Sequence, residues 1–474
     1  MTFQSFEYIV FLPIVFLLYW TVCRRSKDLQ NGLIIAASLM FYGWWDWRFL
    51  GLLLFTAFST FLAGWLMGNT EEQKKRKKYN VCAIVLNIGV LFFFKYFNFF
   101  IQAFVDAFSL LGVEVNISIL KILLPVGISF YTFTALSYSI DVYQRKVEPT
   151  KDVLAYLAYV MFFSSILSGP ISRAQKQLPQ YFNCRKFDYG NAVSACKFIL
   201  MGGVMKLCLA DRLGIYVDTV YSNIAQHNGT TLLFTSILYS IQIYADFAGY
   251  SLMAIGSGKL LGIELQTNFV RPYFAKTVTE FWRRWHISLT TWFRDYIYFP
   301  LGGNRCSKTR WMLNTMVVFT ISGLWHGAAY TFVIWGAMHG VCMIIERIVY
   351  GEKIKTISNK FSISTFLRLI VTFTIVNFAW IFFRVSNLSD AVVVFKKIFM
   401  STGSLFVDAD TLAYAFVFAV LVFVADYMDE YHGGKIKLLN SNNVIVRWIT
   451  YISMVIMILL FGVLDGGSFI YFQF

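Results

Sequence analysis

Apolar runs close to the ~20 residues that a helix needs to cross a hydrocarbon core recur along the whole chain, separated by short polar or basic stretches. They lack the period-two alternation of barrel strands and predict an all-α polytopic membrane protein. A first run, 6–23, ends at Arg24, Arg25 and Lys27; a second, 31–44, turns at 45–48 into a third, 49–67. The third leads to Glu-Glu-Gln-Lys-Lys-Arg-Lys-Lys at 71–78. Cytoplasmic loops collect Lys and Arg, so this loop is assigned to the cytoplasm and the N-terminus to the outside. The fourth run, 79–97, is followed by 98–120, which holds no Lys or Arg, as an exterior segment should.

The fifth run, 123–140, returns to Arg145, Lys146 and Lys151. Residues 153–167 are apolar but precede Arg173, Lys176, Arg185 and Lys186, which a full crossing would put on the wrong side; the segment reads as re-entrant. Runs at 193–209 and 232–247 lead to 259–310, where basic residues interleave with Phe, Trp and Tyr. That stretch predicts interfacial or partly inserted helices facing the cytoplasm. Runs at 311–324 and 331–348 flank Trp325-His326-Gly327, and 366–383, 412–427 and 444–464 follow. The expectation is a single membrane domain, 1–474, with about 11–13 transmembrane helices, a retained first span and both termini outside. The tail 466–474 is then extracytoplasmic.

Composition agrees: 58% of the 474 residues are hydrophobic and 14% charged, against about 25% charged in soluble domains. The net charge of +15 follows from the positive-inside rule, and no nucleic-acid partner is expected. Seven scattered cysteines form no CxxC pair or His/Cys cluster, so neither a disulfide framework nor a metal site is expected.

Of five histidines, His227 and His432 fall in loops. His326 stands in Ser322-Gly323-Leu324-Trp325-His326-Gly327-Ala328, where an imidazole of ordinary pKa about 6.5 can take a proton from a hydroxyl. The residues alone leave open a core histidine satisfied by a carbonyl. His286 ends Phe281-Trp282-Arg283-Arg284-Trp285-His286 and is either a second polar group of the same site or part of a Trp/Arg interfacial belt. His339 would lie about 220° from His326 on one continuous helix and reads as structural. Asp141, Asp246 and Asn377 also occupy apolar context; Asp246 reads as an orienting group paired with a nearby arginine. No nucleophile elbow, Walker loop or HEXXH pattern occurs.

The segments Phe281 to His286, Trp292-Phe293-Arg294-Asp295-Tyr296 and Pro300-Leu301-Gly302-Gly303-Asn304-Arg305 resemble the membrane-bound O-acyltransferase family. So do Tyr244-Ala245-Asp246-Phe247-Ala248-Gly249-Tyr250-Ser251, Gly323-Leu324-Trp325-His326-Gly327-Ala328 and the terminal Phe469-Ile470-Tyr471-Phe472-Gln473-Phe474. The similarity is greatest to the branch of bacterial alginate and peptidoglycan O-acetyltransferases. It implies that His326 is the catalytic histidine and His286 the second polar active-site residue. Leu252 departs from the family, which commonly has Asp there. The tail resembles a C-terminal Tyr motif of cell-envelope acylation systems, which makes the Tyr471 hydroxyl a candidate acyl carrier; the other reading of Tyr471 is an aromatic-belt residue.

The resemblance fits a cytosolic thioester, acetyl-CoA, as a substrate rather than a resident cofactor; it is expected near the basic segment 271–310, where Arg283, Arg284 and Arg294 suit its phosphates by their charge. The resemblance also implies a location in the cytoplasmic membrane among lipids, and an extracytoplasmic partner transferase that acetylates a polysaccharide. A long-chain lipid or protein acyltransferase of the same family, or a transporter without acyl chemistry, are the alternatives.

Overall fold

The computed structural model describes residues 1–112, 120, 122–351, 362–433, 438–464 and 469–472, with the backbone alone at 472. Among the described residues there are helices and no strands, and eight helical segments are long and apolar enough to span a membrane. Many large apolar side chains on them are exposed, for example Phe58, Val85, Leu367 and Ile452. Such faces are stable against lipid rather than water. The described residues form two compact units, Met1–Cys196 with Ala254–Gln266, and Lys197–Met253 with Thr267–Phe474.

In the first unit the helix Phe6–Thr21 starts at Ser5, whose side chain accepts from the Tyr8 amide, and Lys27–Asp46 starts at Ser26 in the same way. The expected turn at 45–48 is a 3₁₀ turn, Trp47–Phe49, capped by Asp46 and followed by Leu50–Gly68. The basic loop differs from expectation because the helix already begins at Gln73. Arg76 is drawn inside, donating to the carbonyls of Met67 and Val142. The stretch 98–120, read as an exterior segment, continues as helix Phe97–Leu110. The segment expected to be re-entrant is broken into Val153–Val160 and Phe163–Ile166, whose residues are mostly fully buried.

The second unit carries the candidate chemistry. The long helix Gly229–Leu260 contributes its residues up to Met253. The basic aromatic stretch folds into the short helices Val278–Arg284 and Ile287–Phe293 and a π-helical turn, Arg294–Tyr298. Then come Lys308–His326, Tyr330–Tyr350, Ile363–Arg384, Ala409–Tyr431 and Val444–Phe461. A helix absent from the hydrophobic pattern, Leu388–Met400, buries only Ala391 and Val394. Its Lys397 ammonium donates to the carbonyls of Ile224, Ala225 and His227.

Helices Lys308–His326 and Tyr330–Tyr350 form a tight hairpin, with Gly323 against Gly336. A Cβ at Gly323 would overlap the Phe332 carbonyl, and one at Gly336 the Phe319 carbonyl. Overpacking of this kind costs about 1–3 kcal/mol. Gly336→Ala should therefore lower the thermal midpoint of the detergent-solubilised protein and, because Gly323 is one turn before His326, also lower turnover. An unchanged midpoint would show that the hairpin tolerates separation.

Candidate active site

His326 is the last residue of helix Lys308–His326, and Gly327 continues in extended backbone. The imidazole is buried, with ring centroids of Trp325, Trp335 and Phe383 at 5.0, 4.9 and 5.3 Å. One helix ends at His326 and the next begins at Tyr330, so His339 is on a separate helix and the 220° argument, which assumed a continuous helix, does not apply. His326 and His339 both meet the Trp335 ring nearly edge-on. His339 packs against Phe281 and Trp282, and its ring nitrogens have no hydrogen-bond partner among the described residues.

His286 lies in the turn between two short helices at φ +42°, a left-handed conformation unusual for a side-chain-bearing residue. The buried Asn268 holds this turn. Its carbonyl accepts from the Ile287 amide at 3.0 Å and its side-chain oxygen from the Ser288 amide at 3.3 Å, while its amide donates to Ser251 at 3.1 Å. The preceding helix is pinned at both ends. Thr277 caps it by accepting from the Glu280 amide, and Glu346 accepts from the amides of Val278 and Thr279 and from the Thr279 hydroxyl. At the other end Arg284 pairs with Glu280 at 2.6 Å and Glu430 at 2.8 Å. Burial lowers the His286 imidazole to about 3, so its ring is neutral at physiological pH.

Tyr471 completes the cluster. Its ring centroid is 5.4 Å from His326 and 6.2 Å from His286, and the two imidazoles are 6.4 Å apart. Phe247 packs on both Tyr471, at 4.5 Å, and His286, at 4.6 Å. The Tyr471 hydroxyl is buried with no hydrogen-bond partner among the described residues, unlike a belt tyrosine, whose hydroxyl reaches water. Burial raises the phenol well above its ordinary range, so it keeps its proton until a base removes it.

A cavity of about 370 Å³ is lined by Trp282 and Ser322, each four residues before a histidine of the cluster, though His286, His326 and Tyr471 are not themselves among its lining residues. Its buried end is made by Trp282, Leu289, Phe319 and Ser322, and Ser322 is one helical turn from His326. Its exposed end carries Arg283, Arg294 and Asn304, with Arg347 also on the wall; no carboxylate lines it among the described residues, and Arg294 pairs with the neighbouring Asp295 at 2.8 Å. Of the three arginines expected to bind donor, Arg283 and Arg294 reach this cavity. Arg284 does not; it is held by the two carboxylates of Glu280 and Glu430.

Sequence reading missed Arg347, which stands near the end of an apolar run, and Lys206, inside the run 193–209. Asp246 pairs with Lys206 at 2.6 Å rather than with an arginine, and Lys206 also meets Asp211 at 2.6 Å. A single lysine in an apolar run, five residues before an aspartate, was the available signal. Asn377 is satisfied by Ser236 and Ser240, a structural role.

Fold and site define a multi-pass helical membrane protein with a buried histidine pair and a basic, aromatic cavity. The sequence model of the membrane-bound O-acyltransferase family matches residues 39–388, and the chain belongs to that family; it is an acyltransferase. It is 36% identical over 395 residues to a probable alginate O-acetylase of Pseudomonas aeruginosa, covering 82% of this chain and 73% of that one. It is 31% identical over 414 residues to a peptidoglycan O-acetyltransferase of Helicobacter pylori, covering 81% and 77%. A teichoic acid D-alanyltransferase of Bacillus subtilis is 28% identical over 271 residues, 54% of this chain and 68% of that one. The family match takes in His286 and His326 and ends before Tyr471.

Proposed function

We propose that this protein O-acetylates an extracytoplasmic polysaccharide from the cytoplasmic membrane, with acetyl-CoA as donor and Tyr471 as an intermediate carrier. The observation that carries the reading is the meeting of His326, His286 and the buried Tyr471 hydroxyl within one ring cluster. The names of the alginate and peptidoglycan relatives support the acyl group and the class of acceptor.

The phosphates of CoA pair with Arg283, Arg294 and Arg347, and the thioester arm enters between the aromatic walls toward Ser322. His326 takes the phenolic proton as the Tyr471 oxygen attacks the thioester carbonyl. The C–S bond breaks, the proton passes to the departing sulfur, and free CoA and an O-acetyl tyrosine result. Neutral His286 orients the reacting groups. A phenyl ester is more reactive than an alkyl ester, so a polysaccharide hydroxyl can accept the acetyl group from it, regenerating the phenol. A partner transferase on the outer side carries out this second step.

The test is acetyl transfer from labelled acetyl-CoA to polymer in membranes containing the chain and its partner, with long-chain acyl-CoA as competitor. Transfer of acetyl that long chains do not suppress is expected. Preferential use of long-chain donors would move the reading to lipid or protein acylation, and transport without thioester cleavage would remove it.

The arginines make a separable prediction. A charge-assisted hydrogen bond contributes about 1.5–3 kcal/mol, so Arg283→Ala should raise KM for acetyl-CoA by about tenfold or more while kcat changes little. Arg284→Ala should instead lower the yield of folded protein, because Glu430 loses a partner on a packed helix, and leave KM near wild type. Equal KM effects from both would sink the assignment of the cavity to the donor.

A further inference from the structure

Lys206 lies in a π-helical turn, Val204–Ala210, with its ammonium 2.6 Å from both Asp211 and Asp246. All three side chains are almost wholly buried, at 2, 6 and 3% exposure. One ammonium shared between two carboxylates leaves carboxylate oxygens whose remaining acceptor positions need further donors. One such donor comes from the C-terminal segment: the Ile470 amide donates to Asp246 at 2.9 Å. This contact reads the main chain one residue before Tyr471.

The same helix seats the segment's side chains. Phe247 packs on Tyr471 and Phe469, and Tyr250 stacks on Phe469 with ring centroids 4.4 Å apart. Asp246 thus supplies the polar anchor, and its neighbours the apolar seat, on either side of Ile470.

We propose that Asp246, held in place by Lys206, is the positioning residue that docks the C-terminal segment through the Ile470 amide and thereby sets Tyr471 against His326. The functional consequence rests on Tyr471 being the acyl carrier; the docking itself does not.

The test separates the two. A cysteine replacing Ile470 (Ile470→Cys) reports docking through its rate of maleimide alkylation in the full-length, detergent-solubilised protein, read on the C-terminal peptide by mass spectrometry. Cys208, fully buried in the same unit, is the internal control for folding. Alkylation at 470 should be slow with Asp246 present and at least tenfold faster in Asp246→Ala, with Cys208 protected in both. Asp246→Asn keeps an acceptor oxygen for the amide and should stay near the wild-type rate.

In parallel, Asp246→Ala should lower acetyl on Tyr471 at least tenfold with KM for acetyl-CoA unchanged, and Asp246→Asn should restore it. Unchanged protection at 470 in Asp246→Ala would overturn the proposal, as would faster alkylation in Asp246→Asn while Cys208 stays protected. If Asp246→Ala exposes Cys208, Asp246→Asn decides; loss of Cys208 protection in both replaces docking with a fold-wide role. Absence of acetyl on Tyr471 in the otherwise wild-type protein removes the carrier reading, while the alkylation rates still decide docking.

Discussion

Membranes carrying His326→Ala should transfer acetyl from labelled acetyl-CoA about 10²–10⁴-fold more slowly than wild type, the range expected when a general base is removed. Of the two imidazoles in the cluster, that of His326 is the nearer to the Tyr471 ring, with centroids 5.4 against 6.2 Å apart. A buried phenol held well above its ordinary pKa provides almost no phenolate by itself. Truncation also leaves space among Trp325, Trp335 and Phe383, so some loss of stability accompanies it. His339→Ala is the matched control. It too removes an imidazole packed on Trp335, but His339 is not among the ring neighbours of Tyr471. It should cost stability and leave turnover of the folded fraction within a few-fold of wild type. Equal losses of turnover in the two variants would make His326 a packing residue.

The second large effect belongs to Tyr471→Phe. This change keeps the ring that packs on Phe247 and Phe469 and removes only a hydroxyl with no hydrogen-bond partner among the described residues. Deleting such a buried group costs little stability or increases it. Transfer to polymer should nevertheless fall to background, because the nucleophile that takes the acetyl group from the thioester is gone. Wild-type transfer by Tyr471→Phe, with donor consumption also unchanged, would mean that acetyl passes directly from CoA to its final acceptor and that the tail is a packing element.

Much of the helical framework was legible because its signals are local. The turn at Trp47–Phe49 and the hairpin turn after His326 fall where apolar runs meet polar or glycine positions, whereas the break at 161–162 lies inside an apolar run and was signalled only by the basic residues after it. Three kinds of feature were not legible. Leu388–Met400 buries only a narrow stripe, so no long apolar run announces it. The site depends on partners far apart in sequence. Loop charges assigned the tail to one side and the basic stretch to the other, and nothing in local spacing brings Tyr471 to His286, 185 residues earlier by subtraction of their numbers. Pairwise choices among charges were equally hidden. Arg284 and Arg283 are adjacent, yet one faces Glu430 and the other the cavity, a difference set by helix phase and by which carboxylate the fold presents.

The carrier role of Tyr471 is tested most directly by incubating membranes with labelled acetyl-CoA without polymer, then mapping label along the chain by mass spectrometry. Acetyl on Tyr471 in the wild type, absent in His326→Ala, is the expected result. Label that never appears on Tyr471 while polymer acetylation proceeds at full rate would contradict the relay.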